Sequence, residues 1–118
     1  MPVAVARAKH LRVSPRKLRL VADLIRGKKV AEARDILQFT VKGGSPMLSK
    51  VLASAVANAE SKAAERRERL DTDEMFVQKI QVNDGLNVMK RYKPGPRGRA
   101  MRIRKRMSHV ELVISDTK

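Results

Sequence analysis

Residues 90–115 read KRYKPGPRGRAMRIRKRMSHVELVIS, and the fold turns on how this stretch divides. Its first eighteen residues, Lys90 to Met107, hold nine basic side chains, two prolines, two glycines and no acid. At the chain's end such a run would read as a disordered basic tail. Here it lies inside the chain and is followed at once by an alternating segment, with Val110, Leu112 and Ile114 on one side of an extended strand. Upstream, in MFVQKIQVNDGLNVMKRY (residues 75–92), the period changes to that of a strand at Met75. Phe76, Ile80 and Val82 are expected on one face, and Val77, Lys79 and Gln81 on the other. Two strand-like segments around a Pro/Gly centre predict a β-hairpin with its turn at Pro94–Gly98. Each arm from Gly85 outward then holds roughly ten residues and reaches about 30 Å at ~3.3 Å per residue. An isolated two-stranded ribbon is marginal in water, so something outside the chain must hold it.

The rest of the composition narrows what that partner is. The chain has 118 residues, enough for one domain and one modest core. Hydrophobic residues make up 42% but aromatics only 3%, so the core is expected to consist of Val, Leu, Ile, Ala and Met. Lys and Arg number 27 against 12 Asp and Glu, a formal net charge of +15. A domain this charged repels itself, and a dense anion relieves the repulsion. Nucleic acid, with a phosphate about every 1.7 Å of duplex axis, is the natural candidate. An acidic membrane surface or protein would also answer the charge.

Cys is absent, which removes disulfides, thiolate zinc sites and cysteine nucleophiles together. The N-terminal MPVAVARAKHLRV carries no apolar run suited to a signal peptide. No stretch approaches the ~18 apolar residues of a membrane span. The expectation is a soluble cytoplasmic protein. His10 and His109 are the only histidines and lie in no metal-ligand spacing. Ser108–His109 is no catalytic dyad, because adjacent strand residues point to opposite faces. With no phosphate loop, nucleophile elbow or paired carboxylates, the sequence carries no enzyme signature.

Before the hairpin the chain reads as an edge strand, VAVARAKHLRV, and three helices. In SPRKLRLVADLIRGKK, Ser14 is placed as N-cap and Pro15 at the first helical position. Leu18, Val21, Ala22 and Ile25 form the apolar stripe, and Gly27 is the stop. VAEARDILQF turns Val30, Ala33, Ile36 and Leu37 inward. Gly43–Gly44 break the chain, and Ser45–Pro46 is expected to restart it with the same cap chemistry as Ser14–Pro15. The third and longest helix buries Leu48, Val51, Leu52, Ala55, Val56 and Ala59. Six of the twelve acids fall between Glu60 and Glu74, so charge is segregated along the chain. The acidic stretch is expected to face solvent, and the basic stretches the partner.

Two basic constellations are candidates for nucleic-acid contact. The hairpin carries Lys90, Arg91, Lys93, Arg97, Arg99, Arg102, Arg104, Lys105 and Arg106, with no acid from Gly85 through Val110. In an extended strand Arg102, Arg104 and Arg106 share one side and Lys105 lies on the other. A ribbon charged on both faces offers no face to a protein core, but it suits insertion among phosphates. Arg favours bidentate phosphate forks, and Tyr92 can stack on a base. Pro94, Gly95, Pro96 and Gly98 read as the turn. The second constellation surrounds the first helix: Arg7, Lys9, Arg12, Arg16, Lys17, Arg19, Arg26, Lys28 and Lys29. Arg16 and Lys17 occupy the first turn, where the helix dipole disfavours cations by a few tenths of a kcal/mol. That placement makes sense if phosphate approaches the helix start.

RVSPRKLRLVADLIRGKKVAEARDIL, KVLASAVANAE and RGRAMRIRKRMSHVELVISD together resemble the bacterial L-twenty-two family of large-subunit ribosomal proteins. Three separated blocks occur in the family's order and spacing, from about Ala6 to Asp116. The resemblance implies an α+β fold: three helices packed on a small three-stranded antiparallel sheet, with a long protruding β-hairpin over 85–106. It implies large-subunit rRNA, neighbouring ribosomal proteins and the nascent polypeptide as partners, with no cofactor, no metal and a monomer outside the ribosome. It places Lys90 to Arg106 in an RNA-threading hairpin and Lys93, Pro94, Gly95, Pro96, Arg97, Gly98 and Arg99 at a tip lining the peptide exit tunnel. Arg12, Arg16 and Lys17 fall at an RNA contact, and His109 at the base of the returning strand. Two departures stand out. Gly95–Pro96 occupies a site where many members have a basic residue with Ala or Gly, and GGSPM opens the third helix where relatives often have Lys and Ala.

Two other functions answer the same charge. An architectural DNA-binding protein with β-arms is usually an obligate dimer, and this chain has no evident spare apolar face. A membrane-active cationic domain needs an amphipathic basic helix, whereas the densest charge here lies on strand and turn. If RNA holds the hairpin, amides across Lys90–Arg104 should exchange quickly in the free protein and slowly in the bound one. Strong protection in the free protein would contradict this.

Overall fold

The alternation of Val110, Leu112 and Ile114 makes the middle strand of the sheet. The computed structural model of the protein describes residues 3–85, 89–94, 98, 100–105 and 107–116, with 89–94 and 100–105 described through their backbone. In chain order the elements are β1 (Val3–Leu11), α1 (Pro15–Ile25), α2 (Val30–Phe39), α3 (Ser45–Glu65), a short 3-10 turn (Thr72–Glu74), β2 (Phe76–Asp84), β3 (Met89–Pro94), β4 (Ala100–Lys105) and β5 (Ser108–Ser115). β5 lies between β1 and β2 in a three-stranded antiparallel sheet, while β3 and β4 pair as a separate two-stranded ribbon. The α+β architecture expected from the sequence is the observed one.

The helices cover one face of the sheet. Ala4 and Ala6 of β1, Ile80 and Val82 of β2, and Val110, Leu112 and Ile114 of β5 meet the stripes of α1, α2 and α3 in one aliphatic cluster. Among the described residues, no aromatic belongs to it. Each fully buried Leu, Ile or Val contributes roughly 1.5–3 kcal/mol, and the small Ala stripe on α3 lets that helix pack close to β1. α1 forms as its sequence predicts: the Ser14 hydroxyl accepts from the Lys17 amide, and Gly27 ends the run at φ +77°.

Two local expectations fail. Phe76 does not share a face with Ile80 and Val82; Val77 does, and it is fully buried while Phe76 is half-buried. The cause is a register shift between Val77 and Lys79, where β2 carries an extra residue against β5 and the inward phase slips by one. Ser45 is not the N-cap of α3. Gly44, in right-handed helical geometry, holds that position, and no side chain caps the helix. Ser45 is already helical and its buried hydroxyl finds no partner among the described residues. Gly44 packs tightly over Leu18, whose Cδ1 lies 2.6 Å from where a Cβ would stand.

Both sheet edges are covered by helix side chains. Along β2, Arg19 of α1 donates through Nε and Nη2 to the Val82 carbonyl (3.2 and 3.0 Å), and Arg26 donates to the Ile80 carbonyl (3.0 Å). Along β1, Asn58 and Lys62 of α3 donate to the carbonyls of Val5 (2.9 Å) and Val3 (3.3 Å). Edge carbonyls left open are templates for another strand, and these donors occupy them.

The ribbon lies between β2 and β5 in the chain. The Gly85 amide donates to the Met107 carbonyl (2.8 Å) at the root. The β3–β4 register runs from Met89 opposite Lys105 to Pro94 opposite Ala100, which puts the reversal where the Pro/Gly centre predicted it. Gly98 has φ +69°, a value glycine adopts without strain. Gly95, Pro96, Arg97, Arg99 and Arg106 lie outside the described residues. The molecule measures 67 × 26 × 18 Å with a radius of gyration of 17.5 Å, against about 13–14 Å for a compact chain of this length.

The root is sensitive to a single methyl group. A Cβ on Gly85 would sit 3.0 Å from the Met107 carbonyl carbon and oxygen, which are backbone atoms. Gly85→Ala should therefore destabilise the protein by about 1–3 kcal/mol in denaturant unfolding, the usual range for overpacking. A variant as stable as the parent would show that the arms separate freely at this point.

Candidate nucleic-acid interface

The first helix begins where the chain leaves β1, and that junction is built from both ends of the sequence. Between the pairs Ala8–Val110 and Leu11–Ser108, β1 holds one more residue than β5. The extra residue forms a bulge at Lys9–His10, with His10 at φ +61°. This left-handed conformation is costly for a residue with a side chain. The His10 amide donates to Nδ1 of His109 (3.1 Å), and the two rings stand edge to face with centroids 5.0 Å apart. On the opposite face of β5 the fully buried Ser108 hydroxyl donates to the Val13 carbonyl. Adjacent residues of one strand thus hold residues 10–13 from both sides, immediately beside the Gly85–Met107 root of the ribbon.

This junction displays cations. Lys9, Arg12, Arg16 and Lys17 are all exposed, and the first turn of α1 contains no acid. Lys28 is exposed at the turn between α1 and α2. Among the described residues, none of these five side chains takes part in a hydrogen bond or ion pair. A helix start with free cations and no acid attracts an anion through its own amide dipoles as well as through the side chains.

Other predicted contacts are already engaged. Arg7 pairs with Glu111 (3.5 Å) across β1 and β5, and Lys29 with Glu74 (3.3 Å). Arg19 holds the Val82 carbonyl with two donors, so it secures the sheet edge. The acidic stretch, expected only to face solvent, also reaches α2, where Asp73 meets Arg34 (3.4 Å). Lys90, Arg91, Tyr92, Lys93 and Pro94 lie on β3, and Arg102, Arg104 and Lys105 on β4. Cross-strand pairing sets Lys90 opposite Arg104 and Tyr92 opposite Arg102. Arg26, expected among the cations around α1, instead holds the Ile80 carbonyl and Asp23; sequence reasoning missed the edge donors Asn58 and Lys62, which no local motif distinguishes from ordinary surface residues. It also missed the link from Ser108 and His109 to residues 10–13, which join segments far apart in the chain.

Among the described residues, no group of three or more His, Asp or Glu residues could hold a metal ion, and no helix is long and apolar enough to cross a membrane. The chemistry on offer is anion binding over an extended basic surface.

Comparison with known proteins agrees. A sequence profile described as "Ribosomal protein L22p/L17e" matches residues 6–115. Its class is that of ribosomal proteins, structural components and not enzymes. A protein of Leptospira biflexa named "Large ribosomal subunit protein uL22" is 53% identical over 116 residues, covering 98% of this chain and 95% of its own length. Proteins with the same name from Desulfitobacterium hafniense and Staphylococcus aureus are 49% and 48% identical, covering 100% and 98% of this chain and 98% and 93% of their own. The chain belongs to the ribosomal protein L22p/L17e family.

The division between free and engaged cations has a measurable consequence. Alanine at Arg12 or Arg16 should change folding stability by no more than about 0.5 kcal/mol, as surface substitutions do. Alanine at Arg19 removes two hydrogen bonds from an edge carbonyl and should cost about 1–2 kcal/mol. Urea unfolding of the three variants separates the groups. Equal effects would mean that Arg19 is ordinary surface charge.

Proposed function

We propose that the protein is a structural constituent of the large ribosomal subunit that binds and organises large-subunit rRNA, working in the cytoplasm as part of the ribosome. The reading rests on the family match across residues 6–115. The unpartnered cations Lys9, Arg12, Arg16 and Lys17 beside the root of the ribbon, with Lys28 at the turn after α1, support it, because they give the rRNA a place to bind that folding does not consume.

Lys9, Arg12, Arg16, Lys17 and Lys28 neutralise phosphates beside the globular part. Arg7 and Lys29 join the contact as the rRNA competes for the acids that now pair with them, while His109 keeps its bond to the His10 amide. Lys90, Arg91, Tyr92, Lys93, Arg97, Arg99, Arg102, Arg104, Lys105 and Arg106 carry the contact along the hairpin. Residues 85–106 thread between RNA segments, and each phosphate neutralised lowers the repulsion that keeps distant segments apart during assembly. The tip, Lys93 to Arg99, faces the nascent polypeptide in the exit tunnel. Neighbouring large-subunit proteins border the globular part.

Electrostatic threading predicts a steep salt dependence. Six to ten phosphate contacts lose roughly 10³–10⁵ in affinity between 50 and 200 mM salt. A tagged copy should co-sediment with the large subunit. The purified protein should prefer a large-subunit rRNA transcript to duplex DNA of equal length. Replacing Arg12 by Ala should lower the slope of log affinity against log salt by about one. Sedimentation away from the large subunit, or equal affinity for duplex DNA, would overturn the reading.

A further inference from the structure

We infer that Ser108 and His109 form a positioning clamp, fixing the β1 bulge and the β1–α1 loop against the root of the hairpin so that the two basic constellations meet rRNA as one surface. The inference rests on the rRNA-binding reading and adds to it the residues that make the surface continuous.

The argument starts from the cost of the bulge. The residue inserted in β1 leaves its amide without a ladder partner, and His10 adopts a left-handed backbone that resists any side chain. The amide is satisfied by Nδ1 of His109 at 3.1 Å. Acceptance at Nδ1 requires the lone pair there, so the neutral ring carries its proton on Nε2. Ser108 completes the hold from within, its buried hydroxyl on the Val13 carbonyl. The held segment runs from Lys9 through Arg12 to the Ser14 cap, and Arg16 and Lys17 follow in the first helical turn. The holding residues directly follow Met107, whose carbonyl accepts from Gly85 at the hairpin root. The clamp thus sets the distance between cations on the loop and cations on the ribbon. Phosphates on a folded RNA are spaced rigidly, so a loop free to wander meets fewer of them at once.

Two substitutions separate this role from a direct contact through the ring. Asn at position 109 places an amide oxygen near the position of Nδ1, whereas Gln places its amide near Nε2. Full-length wild type, His109→Ala, His109→Asn, His109→Gln and Ser108→Ala are compared by exchange of the His10 amide and by affinity for an in vitro large-subunit rRNA transcript. His109→Ala should speed His10 exchange and weaken binding roughly two- to tenfold, the range one hydrogen bond spans. Asn should restore both readouts, Gln neither, and Ser108→Ala should weaken binding in the same range. Arg12→Ala should cost less affinity in the His109→Ala background than in wild type, a coupling that independent sites do not give. Restoration by Gln but not Asn would overturn the clamp in favour of a direct contact, and unchanged affinity in His109→Ala would overturn it outright. If wild type fails to bind the transcript, the rRNA reading falls. His10 exchange then decides the clamp alone: unaltered exchange in His109→Ala rejects it, and acceleration reversed by Asn upholds it.

Discussion

β5 is the strand on which the rest of the molecule depends. It is bonded on both sides, to β1 and to β2, and its inward residues Val110, Leu112 and Ile114 are buried beneath the helices. A strand so placed cannot shift by one residue, because the slip would turn those three side chains to solvent. That fixed register is what gives the hairpin a foundation. β3 follows β2 in the chain and β4 precedes β5, and the Gly85–Met107 hydrogen bond ties β2 to β5 at the ribbon's root. One strand of that pair, β2, is an edge, and Arg19 and Arg26 of α1 brace its outer side.

The second constraint is charge. A net +15 on 118 residues opposes compaction, and the fold meets it by giving cations two kinds of work. Arg19, Arg26 and Lys62 spend their donors on edge carbonyls, which protects the sheet from other strands. Arg7, Lys29 and Arg34 find acids, in exposed pairs worth little individually. Lys9, Arg12, Arg16 and Lys17, at and just before the start of α1, stand free among the described residues. A single surface of free charge would have repelled itself harder, and a surface with every charge paired would have nothing left for a partner. The acidic loop after α3 serves this division, because its Asp73 and Glu74 occupy cations of α2 and the preceding turn.

Much of this was legible in the sequence wherever a local rule decides the outcome. Ser14–Pro15 and Gly27 bound α1 because cap chemistry is local, and the aliphatic stripes identify the core because helical period is local. Ser45–Pro46 misled: the same dipeptide lies one residue inside α3, behind a Gly44 that packs against Leu18. Phe76 and Val77 exchanged faces because one inserted residue reverses a period of two, and nothing in FVQKIQV marks the insertion. At the site, the basic residues were visible as a set. Which of them are free was not, because Arg12 and Arg19 differ only in what lies across from them in the fold.

The same distinction explains why Ser108–His109, excluded as a catalytic dyad, gave no sign of its link to residues 10–13. Their side chains do point to opposite faces of β5, as any adjacent strand residues must. That geometry rules out cooperation on one reacting group, and it is also what allows one segment to be held from two sides. The Val13 carbonyl approaches from the buried face and the His10 amide from the exposed face. Strand alternation, which excludes a dyad, thereby permits a clamp. The bulge in β1 is its necessary counterpart: without the extra residue, the His10 amide would have no need of a side-chain acceptor.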